Sequence, residues 1–255
     1  MRRSSRRAAA RRTLHTAWGV FLLLATWQGL SWLVDRAVLP GPLEAGEALA
    51  ESVMSGRLLP HLAYSTFRVL AAVASAVVLA VPAGIAMGRY PVVDRLLSPF
   101  VRLVYPVPKV AFLPVVVLLL GVHDLAKIFL IGLVVFFQIL VPTRDGALAV
   151  PRSCIMSVRS LGAKEWDILR HVVLPACLPR VFTSLRIAVG TAVAVLFLTE
   201  TFATSHGLGY YLLDAWSRLD YGDLFAGVIA MGLLGAALHW TVDRLEARFC
   251  PWERL

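Results

Sequence analysis

The sequence predicts an all-α polytopic membrane protein with about six transmembrane helices, and three observations carry that prediction. Of 255 residues, 58% are hydrophobic and only 16% are charged, with a mean hydropathy of +0.74. A soluble domain of this length needs more polar surface. The apolar residues fall in long unbroken runs. The basic residues collect on alternate connections between those runs. A disordered chain is excluded by the hydrophobic content. An outer-membrane barrel is excluded too, because its strands would alternate apolar and polar residues over about ten positions.

The runs justify the elements in order. Residues 1–16 form a basic tail with six arginines among the first twelve. Ala17–Val34 holds 18 uncharged residues, and the first span is placed at 17–36. The run is too long for the apolar region of a signal peptide. An outer loop at 37–59 opens on Pro40-Gly41-Pro42 and continues as a short polar helix over Leu43–Ser55. The second span rests on Val69–Gly88, 20 uncharged residues. Residues 89–108, with Pro91, Pro99, Pro106 and Pro108, read as an inner connection. The third, fourth and fifth spans rest on shorter runs: Val110–Val122, Ile128–Thr143 and Ile187–Thr199. The third and fifth reach spanning length if Lys109 and Arg186 extend to the headgroups. An outer loop at 203–222 surrounds Gly207-Leu208-Gly209-Tyr210. Leu224–Val242 gives the sixth span, and 246–255 a C-terminal tail. Gly84, Gly132, Gly190, Gly232 and Gly235 within the spans are expected to permit close helix approach. The tryptophans read as interface anchors or packing.

The net charge of +9 is mostly arginine. With six spans and the tail inside, the inner segments hold 17 Lys and Arg and the outer segments four. That asymmetry sets both termini in the cytoplasm. It also assigns the charge to the lipid bilayer rather than to nucleic acid. Cys154, Cys177 and Cys250 all fall on the inner side, where no disulfide is expected. None has metal-ligand spacing.

The longest inner segment, 144–180, has 37 residues and no apolar run. Within it, Ala163–Val173 reads as a short amphipathic helix. Trp166, Leu169 and Val173 lie on one face, flanked by Ile168 and Val172, and Lys164, Glu165, Asp167, Arg170 and His171 on the other. Gly162 supplies a break before it. Leu174-Pro175 is expected to end it, because proline disfavours a helical residue at the preceding position. Such a helix suits a groove on another protein or the headgroup layer. Periodicity leaves both readings open.

The stretch Ser160–Pro175, SLGAKEWDILRHVVLP, resembles the cytoplasmic loop of permease subunits of binding-protein-dependent ABC importers. The family pattern runs Glu-Ala-Ala, three residues, Gly, nine residues, Ile, one residue, Leu-Pro. Gly162 and Leu174-Pro175 match at that spacing, with Val172 for the Ile. Met156, Ser157 and Val158 stand where Glu-Ala-Ala would be. PVPKVAFLPVVVLLLG at Pro106–Gly121, Arg68 within HLAYSTFRVL, and Glu200 followed by Gly207-Leu208-Gly209-Tyr210 are similar to the nitrate/sulfonate/taurine branch. The resemblance covers the permease core at 60–245.

The resemblance implies a bacterial inner-membrane subunit that acts as a dimer, most simply with a second copy of itself. ABC ATPase subunits would dock from the cytoplasm, and an extracytoplasmic substrate-binding protein would deliver the solute. The implied cargo is a small anion: an aliphatic sulfonate, taurine or nitrate. The loop between spans four and five would be the coupling helix, with Ser160, Leu161, Gly162, Ala163, Lys164, Glu165, Trp166, Leu169, Leu174 and Pro175 as its contact residues. Arg68, Pro108, Lys109 and Glu200 are the candidates for the substrate pathway. ATP and Mg²⁺ would be bound by the partner. This chain has no Gly-x-x-x-x-Gly-Lys-Ser/Thr, and no catalytic, cofactor or metal residue is assigned to it. Permeases for thiamine or pyrimidine precursors share the same pattern. An intramembrane enzyme is disfavoured: Asp145-Gly146-Ala147-Leu148-Ala149 begins like a CDP-alcohol phosphotransferase motif, but Val150 replaces the required Arg. An ion-coupled secondary transporter would usually need acidic residues inside spans, and only Glu200 lies at a span end.

Overall fold

The computed structural model describes residues 2–34, 38–202 and 204–254, with side chains over 18–34, 38–202 and 204–252. The side chains of the predicted basic tail, and residues 35–37 where the predicted first span passes into the outer loop, lie outside the described residues. All regular structure among the described residues is helical. Four helices are long and apolar enough to cross a membrane: α3 (Leu58–Arg89), α6 (Asp124–Leu148), the continuous helix Glu165–Glu200, and α11 (Tyr221–Phe249). A fifth candidate is the pair formed by α4 (Pro91–Val104) and the turn Lys109–Phe112 with helix α5 (Leu113–Leu120), bent by 80°. The apolar part of α1 (Arg2–Leu33) covers Trp18–Leu33. Against the expected six spans, the described residues thus hold four helices of spanning length, or five if the bent pair counts as one, and the first expected span is a shorter apolar helix.

The chain forms two compact units. The first comprises residues 1–59 and 211–230. In it, α1 exposes Trp18, Phe21, Leu23 and Trp32 over more than half of each side chain's surface. That face suits an apolar surrounding such as lipid. The short helix α2 (Pro42–Met54) lies where the sequence puts it, with Pro42 at its first turn and the Gly41 N–H donating to Glu44 Oε2 at 3.0 Å. Ser52 and Asp223 are both buried. Tyr211 Oη donates to Ser52 Oγ (3.1 Å), which donates to Asp223 Oδ1 (2.7 Å). Arg57 Nη1 donates to Asp223 Oδ2 at 2.9 Å. Each buried polar atom in that chain thus has a partner.

The second unit comprises residues 60–210 and 231–255. Its core is the antiparallel pair α6 and α9 (Leu174–Glu200). Leu130, Ile131, Val135 and Ile139 on α6, and Ala188, Ala192 and Leu196 on α9, are fully buried. The alanines recur every four residues and let the backbones approach, which matters in lipid, where packing rather than the hydrophobic effect holds helices together. On α3, Gly84 and Gly88 form a Gly-x-x-x-Gly face against α6. A Cβ at Gly84 would meet the Leu140 carbonyl oxygen at 2.8 Å. One at Gly88 would meet the Arg144 carbonyl oxygen and Ala147 Cβ at 2.5 Å. Among the five span glycines expected to allow close approach, only Gly84 stands in such a contact. Gly132, Gly190 and Gly235 have ordinary space, and Gly232 has nothing within 4 Å. The sequence reading missed two close-approach glycines in the spans: Gly88, and Gly227 on α11, whose Cβ would lie 2.9 Å from Leu212 Cδ2.

Three connections differ from expectation. Residues 89–108, read as an inner connection with no helix assigned, are largely helical. They hold the 14-residue helix α4, with Pro91 in its first turn and Val92, Leu96, Phe100 and Leu103 exposed along one face. The prolines obscured that spacing. The loop at 203–222 contains a 10-residue helix, α10 (Leu208–Ser217). Pro175 does not end the loop helix. Helix α8 (Glu165–Ile168) runs through a π-turn at Leu169–Val173 into α9. The Leu174 N–H bonds back to the Leu169 carbonyl. The wider turn puts Pro175 in the first turn of α9, where its missing N–H breaks no helical bond.

Candidate functional site: the Gly162 loop and a buried ion cluster

The loop expected to carry coupling lies at the Glu165 end of the long helix. Helix α7 (Arg152–Ser160) is followed by a turn at Leu161-Gly162. Gly162 has φ +86° and nothing within 4 Å of a Cβ. The left-handed backbone requires glycine there, while the space around it is open. Asp167 Oδ2 accepts from the Lys164 N–H at 3.0 Å and caps α8. Glu165 bridges Arg89 of α3 (3.0 Å) and Arg159 of α7.

Inside the loop, Ile168, Val173, Cys177 and Ala147 are buried together, with Ile85, Val158, Ala163 and Leu169 packed around them. The inward face is therefore centred on Ile168 and Val173 rather than on Trp166. Trp166 is 70% exposed and Leu161 87% exposed, with Met156 also outside. Ser160, Lys164 and Glu165 are exposed, and Leu174 and Pro175 are half-buried. The result is a loop anchored to α3, α6 and α9 by apolar packing, with large apolar side chains beside a glycine turn on its free surface.

The second site forms at the other end of α9. Glu200 is fully buried and Arg68 is 2% exposed. Arg68 Nη1 donates to Glu200 Oε1 at 2.7 Å and to the His206 carbonyl at 2.7 Å. Arg68 Nε donates to Asp124 Oδ1 at 2.8 Å. The Ser65 hydroxyl donates to the Glu200 carboxylate, 2.7 Å from Oε2, and accepts the Leu208 N–H at 2.8 Å. The Gly209 N–H reaches Glu200 Oε2 at 3.0 Å. A carboxylate at the start of α10 also complements that helix's positive end. Gly207, at φ +125°, has no room for a side chain: its Cβ would lie 2.4 Å from Glu200 Cδ. Lys127, also buried, donates from Nζ to the Val122 carbonyl at 3.1 Å. The two cations and two acids of the cluster balance, which is how such charges survive burial.

Of the four predicted pathway residues, the structure brings Arg68 and Glu200 together and places Lys109 and Pro108 elsewhere. Lys109 is buried, and its Nζ donates to the carbonyls of Val104 (3.1 Å), Tyr105 (2.8 Å) and Val107 (3.3 Å), 4.8 Å from the Phe137 ring centroid. It caps the end of α4 rather than snorkelling. Pro108 is exposed just before it. Arg186 does not reach out alone either: it pairs with Asp243 (3.0 Å) and Glu246 (2.5 Å) of α11. Ser65 and Asp124 were missed. The i, i+3 spacing of Ser65 and Arg68 on one helix face was the available signal.

The model of the family described as binding-protein-dependent transport system inner membrane component matches residues 58–251. The taurine transport system permease protein TauC of Escherichia coli strain K12 is 32% identical over 239 residues, covering 91% of this chain and 87% of TauC. A putative aliphatic sulfonates transport permease protein, SsuC of Bacillus subtilis strain 168, is 29% identical, covering 91% of this chain and 85% of SsuC. The nitrate import permease protein NrtB of Leptolyngbya laminosa is 26% identical, covering 96% and 90%. Among solved structures, one of the inward-facing MetNI methionine ABC transporter aligns with a TM-score of 0.64 at 16% identity, over 77% of this chain and 97% of that chain. That likeness supports the fold. By family and by relatives matched along nearly their whole length, the chain belongs to the binding-protein-dependent transport system inner membrane components: it is the permease subunit of an ABC importer, with ATP hydrolysis assigned to a separate subunit.

Proposed function

We propose that this permease imports a small anionic solute, an aliphatic sulfonate, taurine or nitrate, and that it couples to its ATPase through the Gly162 loop. The observation that carries the coupling reading is the pairing of exposed Leu161 and Trp166 beside an open glycine turn with a buried base at Ile168, Val173, Cys177 and Ala147. A push on the exposed part is transmitted to α6 and α9 through that packed base, without a flexible joint between them. The names of the relatives support the solute class. The domain reading follows: residues 60–245 form the permease core, with the loop and both termini on the cytoplasmic side. A second copy of the chain completes the pathway, and an extracytoplasmic binding protein supplies the solute.

The test is substitution at Gly162. Nothing surrounds its Cβ position, so Gly162→Ala costs about 1 kcal/mol of left-handed backbone strain and leaves the fold intact. Gly162→Trp adds bulk only to the free surface. Membrane insertion of the Trp variant should match wild type while solute uptake and solute-stimulated ATP hydrolysis fall together. Wild-type uptake by Gly162→Trp would remove the coupling assignment.

A further inference from the structure

We propose that the cleft between α6 and α9 is a station for a small zwitterion, a solute with an anionic head and an amino group. The proposal rests on the permease reading above and names the solute class that its pathway prefers. The cleft has a volume of about 590 Å³. Gln138, Pro142 and Asp145 line it from α6, and Arg180, Thr183 and Ser184 from α9. The spacing on α6 is i, i+4, i+7 and on α9 is i, i+3, i+4, so each helix turns one polar stripe toward the cleft.

Arg180 supplies the positive charge. The other arginines on these two helices have acid partners: Arg144 is held by both oxygens of Asp94, at 2.5 and 2.7 Å, and Arg186 by Asp243 and Glu246. Arg180 has no ion pair among the described residues. Its stem lies over Gly146, where a Cβ would be 3.3 Å from Arg180 Cδ. A side chain there would push the guanidinium away. An unpaired, planar guanidinium beside a cleft suits an oxyanion such as a sulfonate.

The rest of the lining is rich in acceptors. Gln138 Nε2 donates to Thr191 Oγ1 at 3.2 Å, but Gln138 Oε1 is buried with no hydrogen-bond partner among the described residues. Pro142, four residues on, has no N–H to give the Gln138 carbonyl. The Thr183 and Ser184 hydroxyls spend their protons on the Pro179 and Val181 carbonyls, leaving lone pairs. Asp145 shares one oxygen with Arg144 at 3.2 Å, and that arginine is already committed to Asp94. Beyond Arg180 and the Tyr105 hydroxyl, which also lines the cleft, the polar side chains facing it offer acceptors, and these are satisfied by a ligand that brings N–H groups. An ammonium group does so, whereas nitrate and a plain alkanesulfonate bring none.

The experiment uses the whole importer, with its ATPase and binding protein, in cells that lack other sulfonate uptake. Uptake of labelled taurine and of labelled ethanesulfonate is measured per assembled complex recovered from membranes. Arg180→Gln should lower both uptakes about tenfold, the loss expected of one charge-assisted hydrogen bond, and Arg180→Lys should restore part of each. Asp145→Asn and Gln138→Leu should lower taurine uptake about tenfold and ethanesulfonate uptake less than twofold. Equal effects on the two solutes, or none on either, would overturn the station while leaving the permease reading intact. A wild-type complex that assembles and moves neither solute would overturn the solute class proposed above, and the station with it.

Discussion

The buried pair of Arg68 and Glu200 makes a quantitative claim. Both side chains are out of solvent, and the shortest contact between them is 2.7 Å. Two unit charges about 4 Å apart attract by about 4 kcal/mol at an effective dielectric constant of about 20. Most of that offsets the cost of burying them, so the intact pair adds little net stability. Breaking it is different. Glu200→Gln keeps an acceptor for the Gly209 N–H but leaves the guanidinium with Asp124 alone, whose side chain is 37% exposed. Loss of a buried partner typically costs 3–5 kcal/mol, and the remaining carboxylate puts this case at the low end, about 3 kcal/mol. Arg68→Met strands Glu200 and should cost a similar amount. The double variant removes both charges but also takes Arg68 from Asp124 and the His206 carbonyl, so it should cost about 3 kcal/mol rather than 6, a coupling of about 3 kcal/mol. Unfolding of the purified permease in mixed micelles, titrated with a denaturing detergent, measures all four corners of the cycle. A coupling below about 0.5 kcal/mol would refute the reasoning.

Two further outcomes follow from the same geometry. Gly207→Ala places a Cβ against the Glu200 carboxyl and forces an L-residue to φ +125°. The carboxylate cannot swing aside without leaving Arg68, Ser65 and Gly209, so the variant should lose about 3 kcal/mol in the same titration; a loss under 1 kcal/mol would show the cluster to be loose. Gly88→Leu drives a side chain into the Arg144 carbonyl and Ala147, costing about 1–3 kcal/mol, whereas Gly232→Leu, with open space in this chain, should unfold at the wild-type midpoint in a thermal melt. Equal midpoints for the two leucine variants would deny that α3 and α6 meet through glycine.

Much of the fold was legible in residue order. Continuous apolar runs gave the spans because a helix satisfies its own backbone in lipid. Helix α2 followed the Pro40-Gly41-Pro42 turn as expected. The segments that misled were those with prolines. No helix was assigned across Pro91 and Pro99, where α4 forms, and Pro175 suggested a stop where a π-turn accommodates it. Local rules state what proline forbids within an α-helix but not how a neighbouring turn can widen to admit it. The amphipathic pattern of the loop helix was sound, yet the face it buries was set by Ala147 and Ile85, residues remote in sequence.

By itself the sequence determined the solvent this protein lives in and its helical class. It also placed the glycine on which the loop before Glu165 turns, because length, hydropathy and a required backbone conformation are properties of contiguous residues. Tertiary structure decided the rest. That Arg68 meets Glu200 across 132 positions, that Gly88 rather than Gly232 is crowded, and that Arg180 is left without an acid all depend on which helix faces which. Those pairings are chosen by packing and charge balance summed over the whole bundle, and no local stretch of chain carries that sum.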